Sequence, residues 1–278
     1  MKTILLPTDF SKNSINAISY AVKLFEAKAC RFYILNIQKA SSFISDDMMG
    51  VSSLATVYNT LIDTAKMSIT NIITQVKKTS NTTQHEFHAI VDYDNFIDAI
   101  NQITEKQKVD LIIMGTKGAS GLDKVIFGSN TIHVLQRCKV PVLVIPEGCM
   151  FKKIDNVAFT CSFSTTYSVK NFETLKYLMQ LNNSKLKVLH VSEKNKLEEK
   201  LNENTIFFKS NFPQVSFDRI AMSEDEIYNI IHKYIKDNTI EMIVMLGKKH
   251  SFLERFFVKH AVEIFAFKID IPFLVIPE

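Results

Sequence analysis

Hydrophobic and polar positions alternate along the chain in blocks that predict a strand followed by a helix, several times over. Residues 3–6 form a short apolar run that Pro7 ends, and Ser11 then stands as an N-cap before apolar residues at helical spacing, from Ile15 to Phe25. The same alternation predicts strands near 31–37, 86–91, 110–115 and 142–145, and helices at 54–78, after an N-cap at Asp94, and after Gly128. Strands separated by helices indicate a parallel sheet with both faces covered.

This pattern occurs twice, because the chain repeats itself. Residues 141–147, which read PVLVIPE, recur 131 residues later as PFLVIPE at 272–278. Without a gap, 10 of the 34 positions from Met114 onwards are identical in the two copies, which is enough to align them. The opening of the chain at 4–11 also aligns with 157–164. We therefore predict two tandem domains, residues 1–147 and 152–278, the second of which is shorter in its middle.

Both copies end in the same apolar strand, at 142–145 and 273–276. Each strand takes a sheet position that would otherwise leave an apolar edge open, and such edges are an aggregation hazard. We predict that the two strands pair antiparallel across a pseudo-twofold axis and so join the two sheets.

Composition and charge narrow the classes of function. The chain is 46% hydrophobic and 22% charged, as expected of a globular protein. Its net charge of +4 is spread along the chain, which argues against a nucleic acid partner. No apolar run approaches the roughly 20 residues that cross a membrane, and the N-terminus has too few apolar residues for a signal peptide. Four cysteines without paired spacing indicate reduced thiols, so we expect a cytoplasmic protein.

A glycine-rich segment holds the clearest candidate chemistry. Gly115, Gly118 and Gly121 follow the strand that ends near Met114, and Gly128 precedes the next helix. Glycine lets backbone N–H groups approach phosphate oxygens closely, and a helix N-terminus attracts anions. Ligands of parallel sheets bind at the carboxyl ends of strands, so this segment predicts a phosphate site. The glycines could instead serve only to make turns.

These residues resemble the universal stress protein family. The pattern Gly115-x2-Gly118-x9-Gly128-Ser129, after DLIIM and before VPVLV, is similar to that family's nucleotide motif. The opening ILLPTDFS and the later ILNI resemble its first two strands. The resemblance covers the whole chain as a tandem pair. It implies an α/β fold of two parallel five-stranded α/β sandwich domains, related by a pseudo-twofold axis through their last strands.

The resemblance also implies a site for ATP in the first domain. The aspartate and the valine that hold adenine in the family correspond to Asp9 and Ile37. Chemically, Asp9 can accept a hydrogen bond from an exocyclic amine and Ile37 can pack on a base, although Asp9 could instead cap the first helix. The binding residues that the resemblance implies are Pro7, Thr8, Asp9, Ile37, Met114, Gly115, Lys117, Gly118, Gly128, Ser129, Asn130 and Thr131.

The second copy departs from the motif at the same positions. Leu246, Lys249 and Lys259 replace the three glycines, His260 replaces Ser129, and Ser162 replaces Asp9. Bulky side chains block a close approach of the backbone, so we predict a degenerate domain without a nucleotide. Its basic residues could bind another anion or form a solvated loop.

Three functions are compatible with these features. The protein could be an ATP-binding stress-response protein that acts on a protein partner, a slow ATP hydrolase, or an interaction module that binds no nucleotide. No general base or arginine finger is recognisable beside the glycine segment, so we predict no catalytic residues and at most slow hydrolysis. No metal-ligand spacing is recognisable either. The intact motif favours the first function and leaves open whether Mg accompanies the nucleotide and whether whole chains form a homodimer.

Overall fold

The computed structural model describes residues 1–38, 51–80, 83–116, 128–161, 167–193, 201–222, 227–247 and 270–277. The strands are β1 (Lys2–Pro7), β2 (Cys30–Ile37), β3 (Glu86–Asp92), β4 (Leu111–Gly115), β5 (Val142–Ile145), β6 (Asn156–Cys161), β7 (Lys185–Glu193), β8 (Val215–Met222), β9 (Met242–Leu246) and β10 (Phe273–Ile276). The helices are α1 (Lys12–Leu24), α2 (Val51–Thr79), α3 (Phe96–Gln107), α4 (Ser129–Arg137), α5 (Glu173–Asn182), α6 (Leu201–Asn211) and α7 (Ile227–Asp237).

One sheet runs through the whole protein, in the order β3-β2-β1-β4-β5-β10-β9-β6-β7-β8. Its neighbouring strands are parallel except at the centre, where β5 and β10 are antiparallel. There Leu143 faces Leu274, its own equivalent 131 residues later. The pseudo-twofold axis therefore passes between these two leucines. This confirms the predicted antiparallel pairing and the predicted α/β fold.

Helices cover both faces of the sheet. Successive residues of a strand point to opposite faces, so Leu111 and Ile113 of β4 join one hydrophobic core and Ile112 and Met114 join the other. Helices α1, α2, α5 and α6 pack on the first core, and α3, α4 and α7 pack on the second. Each core contains residues from both sides of the β5–β10 pair. The two halves are therefore packed together as well as hydrogen-bonded.

An acidic residue holds the start of the central strand in each half. Asp110 Oδ2 accepts a hydrogen bond of 2.8 Å from the Thr3 N–H, and Asp110 Oδ1 lies 2.7 Å from Lys2 Nζ. In the second half, Glu241 Oε2 accepts from the Asn156 N–H at 2.7 Å. Asp110 and Glu241 are equivalent in the repeat, so both copies keep the same partner for this backbone donor.

The starts of α1 and α3 test the predicted caps. Ser11 caps α1 as predicted, because its hydroxyl accepts from the Ser14 N–H at 3.2 Å. The prediction that Asp94 caps α3 is wrong. Asn95 is the N-cap and accepts from the Ile97 N–H at 3.0 Å, whereas the carboxylate of Asp94 binds the N–H of its neighbour Asn95. Within the described segments, no helix has the length and hydropathy to span a membrane.

Candidate functional site

Most of the predicted site residues lie along one edge of the sheet, at the carboxyl ends of three adjacent strands. Strand β1 lies between β2 and β4. These strands end at Pro7, Ile37 and Gly115, and all three run in the same direction. The structure therefore gathers most of the predicted residues at one edge. Lys117 and Gly118 lie outside the described residues.

The first turn of α4 is attached to the end of β4. Thr131 Oγ1 donates a hydrogen bond of 3.3 Å to the carbonyl oxygen of Gly115. Gly128 is the N-cap of α4, and the first intrahelical bond runs from the Ile132 N–H to the Gly128 carbonyl at 3.1 Å. The N–H groups of residues 129–131 precede that bond and point out of the helix end, where the helix dipole favours negative charge. Ser129 and Asn130 are exposed there.

Gly115 is constrained by packing, whatever its role toward a ligand. A Cβ atom at this position would lie 2.9 Å from the Asn13 carbonyl oxygen and 3.0 Å from Asn13 Cγ. Helix α1 therefore packs directly on the end of β4. Any larger residue at position 115 would push the first turn of α1 away from the sheet.

Asp9 presents an ionised carboxylate at the end of β1. Its side chain is exposed, and Oδ1 accepts a hydrogen bond of 3.1 Å from the Ser11 N–H. Partial burial raises the pKa of Asp9. Hydrogen bonds from Ser11 and Ser14 together lower it by more than burial raises it, so the pKa of Asp9 lies below its ordinary value. Asp9 is therefore a hydrogen-bond acceptor at neutral pH. The alternative that Asp9 caps α1 is wrong, because Ser11 is the N-cap.

A buried polar network holds the chain between β1 and Asp9. The Thr8 N–H donates to the Leu35 carbonyl at 2.8 Å, and the Thr8 carbonyl accepts from Asn36 Nδ2 at 2.8 Å. The Thr8 hydroxyl lies 2.9 Å from Ser14 Oγ and accepts from the Phe10 N–H at 3.0 Å. Sequence reasoning missed Asn36. Its signal was a polar residue inside an apolar strand, which must find partners when buried.

Phe10 has a backbone conformation that large residues rarely adopt. Its φ is 63°, in the left-handed region, where a Cβ is crowded by the backbone. This turn redirects the chain from β1 into α1 directly after Asp9. Because the Thr8 hydroxyl binds the Phe10 N–H, the buried network fixes the strained turn and with it the position of Asp9.

Three apolar residues complete the edge. Ile37 is half-buried and packs against the second core, so part of its side chain is accessible to an apolar ligand group. Pro7 and Met114 are buried. Their side chains therefore pack inside the protein at this edge and offer no surface to a ligand.

Asn13 is a further polar residue at this edge that sequence reasoning missed. It is 8% exposed, and its Nδ2 donates to Thr116 Oγ1 at 3.4 Å. Among the described residues, its Oδ1 has no hydrogen-bond partner. A buried acceptor left in this way costs free energy. No sequence signal separates Asn13 from an ordinary polar residue in the first turn of a helix.

The corresponding edge of the second half differs. Leu246 stands in the place of Gly115 and packs against the first core. Gly247 follows it, and a Cβ there would lie 3.2 Å from Val275 Cγ1. The other substituted positions, Ser162, Lys249, Lys259 and His260, lie outside the described residues. In the part of the chain that the structure describes, no cluster of three or more His, Cys, Asp or Glu side chains could hold a metal ion.

Comparisons with known proteins give the family context of this edge. The Universal stress protein family model matches residues 1–146. Two universal stress proteins of Methanocaldococcus jannaschii are each 27% identical to this chain, over 146 and 152 residues, which is 52% of this chain and 82% and 94% of those proteins. The crystal structure of a universal stress protein from Archaeoglobus fulgidus covers 99% of this chain and 96% of its own, with a TM-score of 0.65 at 17% identity, and shows the same fold.

Proposed function

Because this chain belongs to the universal stress protein family, we propose that it is a stress-response protein that binds ATP or another adenine nucleotide at the carboxyl edge formed by β2, β1 and β4. The observation that carries the proposal is the hydrogen bond between Thr131 and Gly115, which attaches the N-terminus of α4 to this edge. An anion-binding helix end is thereby placed at the position where parallel sheets bind ligands.

The charges of the site orient the nucleotide. The N–H groups of residues 129–131 and the helix dipole receive the phosphates. Asp9 is ionised and repels phosphate, so it suits the exocyclic amine of adenine, to which it offers an acceptor. The accessible part of Ile37 provides an apolar surface for the base. The nucleotide then lies with its base near β1 and β2 and its phosphates near the start of α4.

We place one site per chain, in a domain of residues 1–147, and assign residues 152–278 to a degenerate domain without a nucleotide. The contrast between Gly115 and Leu246 supports this assignment, because a leucine side chain fills space that a glycine leaves to the neighbouring backbone. The nucleotide-free domain still has a structural role, since β10 covers the edge of β5. Binding of ATP would then change how the protein meets its partner.

Three of the four cysteines have inert thiols, in keeping with a cytoplasmic protein. Cys30, Cys138 and Cys149 are unpaired, and burial raises the pKa of each thiol to about 11. At neutral pH these thiols are protonated, which makes them poor nucleophiles.

Nucleotide content and titration test the proposal. The full chain is purified and heat-denatured, the released nucleotide is identified by HPLC, and ATP is titrated calorimetrically with and without Mg²⁺. We expect one adenine nucleotide per chain, and a micromolar dissociation constant would correspond to about −8 kcal/mol. Two equal sites, or no binding under either metal condition, would overturn the proposal. Release of ADP from bound ATP would instead support the slow hydrolase.

A matched pair of variants tests the observation that carries the proposal. Thr131→Val removes the hydroxyl that binds Gly115 and keeps the shape of the side chain. Thr104→Val is the control, because Thr104 is also a buried helix residue whose hydroxyl binds a carbonyl, that of Asn101 on α3. We expect only Thr131→Val to weaken ATP binding. Equal affinities of the two variants would show that the attachment of α4 to β4 does not form the site.

A further inference from the structure

We infer that Asn36 is a positioning residue of the nucleotide site: it fixes the carboxylate of Asp9 relative to Ile37, and the site thereby distinguishes adenine from other purines. This inference rests on the proposed nucleotide site and deepens it. Asn36 is buried, so it acts through the backbone that carries Asp9 and not by touching the ligand. The inference adds to the site a side chain that lies outside the glycine motif.

Asn36 joins the ends of two neighbouring strands through its side chain. It stands directly before Ile37 in β2, and its Nδ2 donates a hydrogen bond of 2.8 Å to the carbonyl oxygen of Thr8, the residue directly after β1. That carbonyl belongs to the peptide unit that links Thr8 to Asp9. Because a peptide unit is planar, a bond to its oxygen also sets the orientation of the Asp9 N–H and backbone. The two residues assigned to the base, Asp9 and Ile37, are therefore connected through one carboxamide.

A second carboxamide holds Asn36 in this orientation. Gln38 Nε2 donates to Asn36 Oδ1 at 2.6 Å, so the donor end and the acceptor end of the Asn36 carboxamide each have a partner. The Gln38 N–H donates to the Asp92 carbonyl at 2.9 Å, which ties this residue to the neighbouring strand β3. Asn36 is only 4% exposed, so water does not compete for its bonds. The side chain of Asn36 is therefore fixed at both ends.

The strained turn after Asp9 needs such a support. Phe10 holds φ 63°, a conformation that costs free energy for a large side chain and persists only where the surrounding structure holds it. Before Asp9, the chain is held from β2 by two bonds, one to the N–H and one to the carbonyl of Thr8. Loss of the Asn36 bond frees the second, so the Asp9 carboxylate would no longer keep one position. A hydrogen bond to the exocyclic amine depends on distance and angle, so it would weaken.

The test measures the ratio of the affinities for ATP and inosine triphosphate, in which a carbonyl oxygen replaces the exocyclic amine of adenine. Calorimetric titration of the full chain compares the wild type with Asn36→Ala. We expect the wild type to prefer ATP and Asn36→Ala to reduce that preference about three- to tenfold, as the loss of one hydrogen bond implies. Asp9→Ala should reduce it at least as much. Asn36→Ala added to Asp9→Ala should reduce it no further, because Asn36 acts through Asp9.

Asn182 is the matched control for the loss of a buried asparagine. It lies in the second half, where its Nδ2 donates to the Leu178 carbonyl at 3.1 Å and its Oδ1 accepts from the Ile154 N–H at 3.3 Å. Asn36→Ala and Asn182→Ala should both lower the midpoint of thermal unfolding, since each removes hydrogen bonds to backbone or side-chain partners. Only Asn36→Ala should change the ratio of affinities. The comparison separates the positioning of Asp9 from a general loss of stability.

Each outcome decides the inference. A wild-type ratio in Asn36→Ala, equal reductions in Asn36→Ala and Asn182→Ala, or a further reduction in the double variant would overturn it and leave the nucleotide site intact. If Asn36→Ala does not fold, half-buried Gln38→Ala takes its place, with a smaller reduction expected and an unchanged ratio as the contrary result. A wild type that binds both nucleotides equally overturns the inference alone. If the wild type binds no adenine nucleotide, the proposed function fails with it.

Discussion

Replacing Gly115 by alanine tests whether α1 packs on β4 as closely as the structure shows. The new Cβ would lie 2.9 Å from the Asn13 carbonyl oxygen, which is closer than real Cβ contacts, and the obstacle is backbone. Inserting a methyl group into such a contact costs about 1–3 kcal/mol. For a protein of this size, each kcal/mol lowers the unfolding midpoint by about 2–4 °C, so we expect a fall of about 2–12 °C. Circular dichroism during heating measures it.

A control and a double variant identify the cause of the fall. Gly247→Ala places its Cβ 3.2 Å from a methyl group of Val275, which can move, so its midpoint should fall less. Adding Asn13→Ala to Gly115→Ala removes the contact with Asn13 Cγ but not the closer one with the carbonyl oxygen, so the double variant should recover only part of the loss. A wild-type midpoint for Gly115→Ala, or complete recovery in the double variant, would refute the reasoning.

Other tests address the ligand site, the central strand pair and the response to pH. Gly128 has φ −64° and ψ 153°, which any residue can adopt, so Gly128→Ala should fold normally. It should nevertheless bind ATP at least about tenfold more weakly by titration. Unchanged affinity would contradict the assignment of Gly128 to the nucleotide site. Asp9→Ala should reduce the preference for ATP over GTP, and an unaltered preference would remove Asp9 from base recognition. Leu274→Ala deletes a fully buried side chain and should cost about 2–5 kcal/mol in urea unfolding; a loss below about 1 kcal/mol would mean that the central pair is loosely packed. Burial lowers the pKa of His85 below its ordinary value of about 6.5, so the unfolded chain binds the proton more readily and stability falls as the pH drops through that value. His85→Gln should flatten this loss in midpoints measured from about pH 7.5 to 5.5, and equal slopes would exclude His85 as its source.

The fold was largely predictable because its signals are local and repeated. Strands such as Val142–Ile145 are short apolar runs between residues that end a strand. Successive residues of such a strand point to opposite faces of the sheet, so the strand's two faces can be read from the sequence. The repeated PxLVIPE segment supplied the remaining long-range information, since it gave two equivalent edges in one chain. The pairing of Leu143 with Leu274 follows from that symmetry.

The details of the site were less predictable because they depend on contacts between distant segments. The motif placed Gly115, Gly128 and Thr131 at one edge, but no local pattern shows that Asn13 of α1 rests on Gly115. The N-cap of α3 lies one residue after the predicted Asp94, since Asp94 and Asn95 are both good caps and only the start of the helix distinguishes them. Asn36 was detectable in principle, as a polar residue inside an apolar strand.

The pairing of β5 with β10 also affects how the sequences of the two halves can diverge in evolution. In a dimer of identical chains, each substitution at the twofold axis enters the interface twice, so neither side can vary alone. Here the two sides are separate positions of one chain, and they already differ, since Val142 faces Val275 whereas Val144 faces Phe273. The covalent link also keeps the partner present at any dilution. One half can therefore acquire changes such as Leu246 without imposing them on the other.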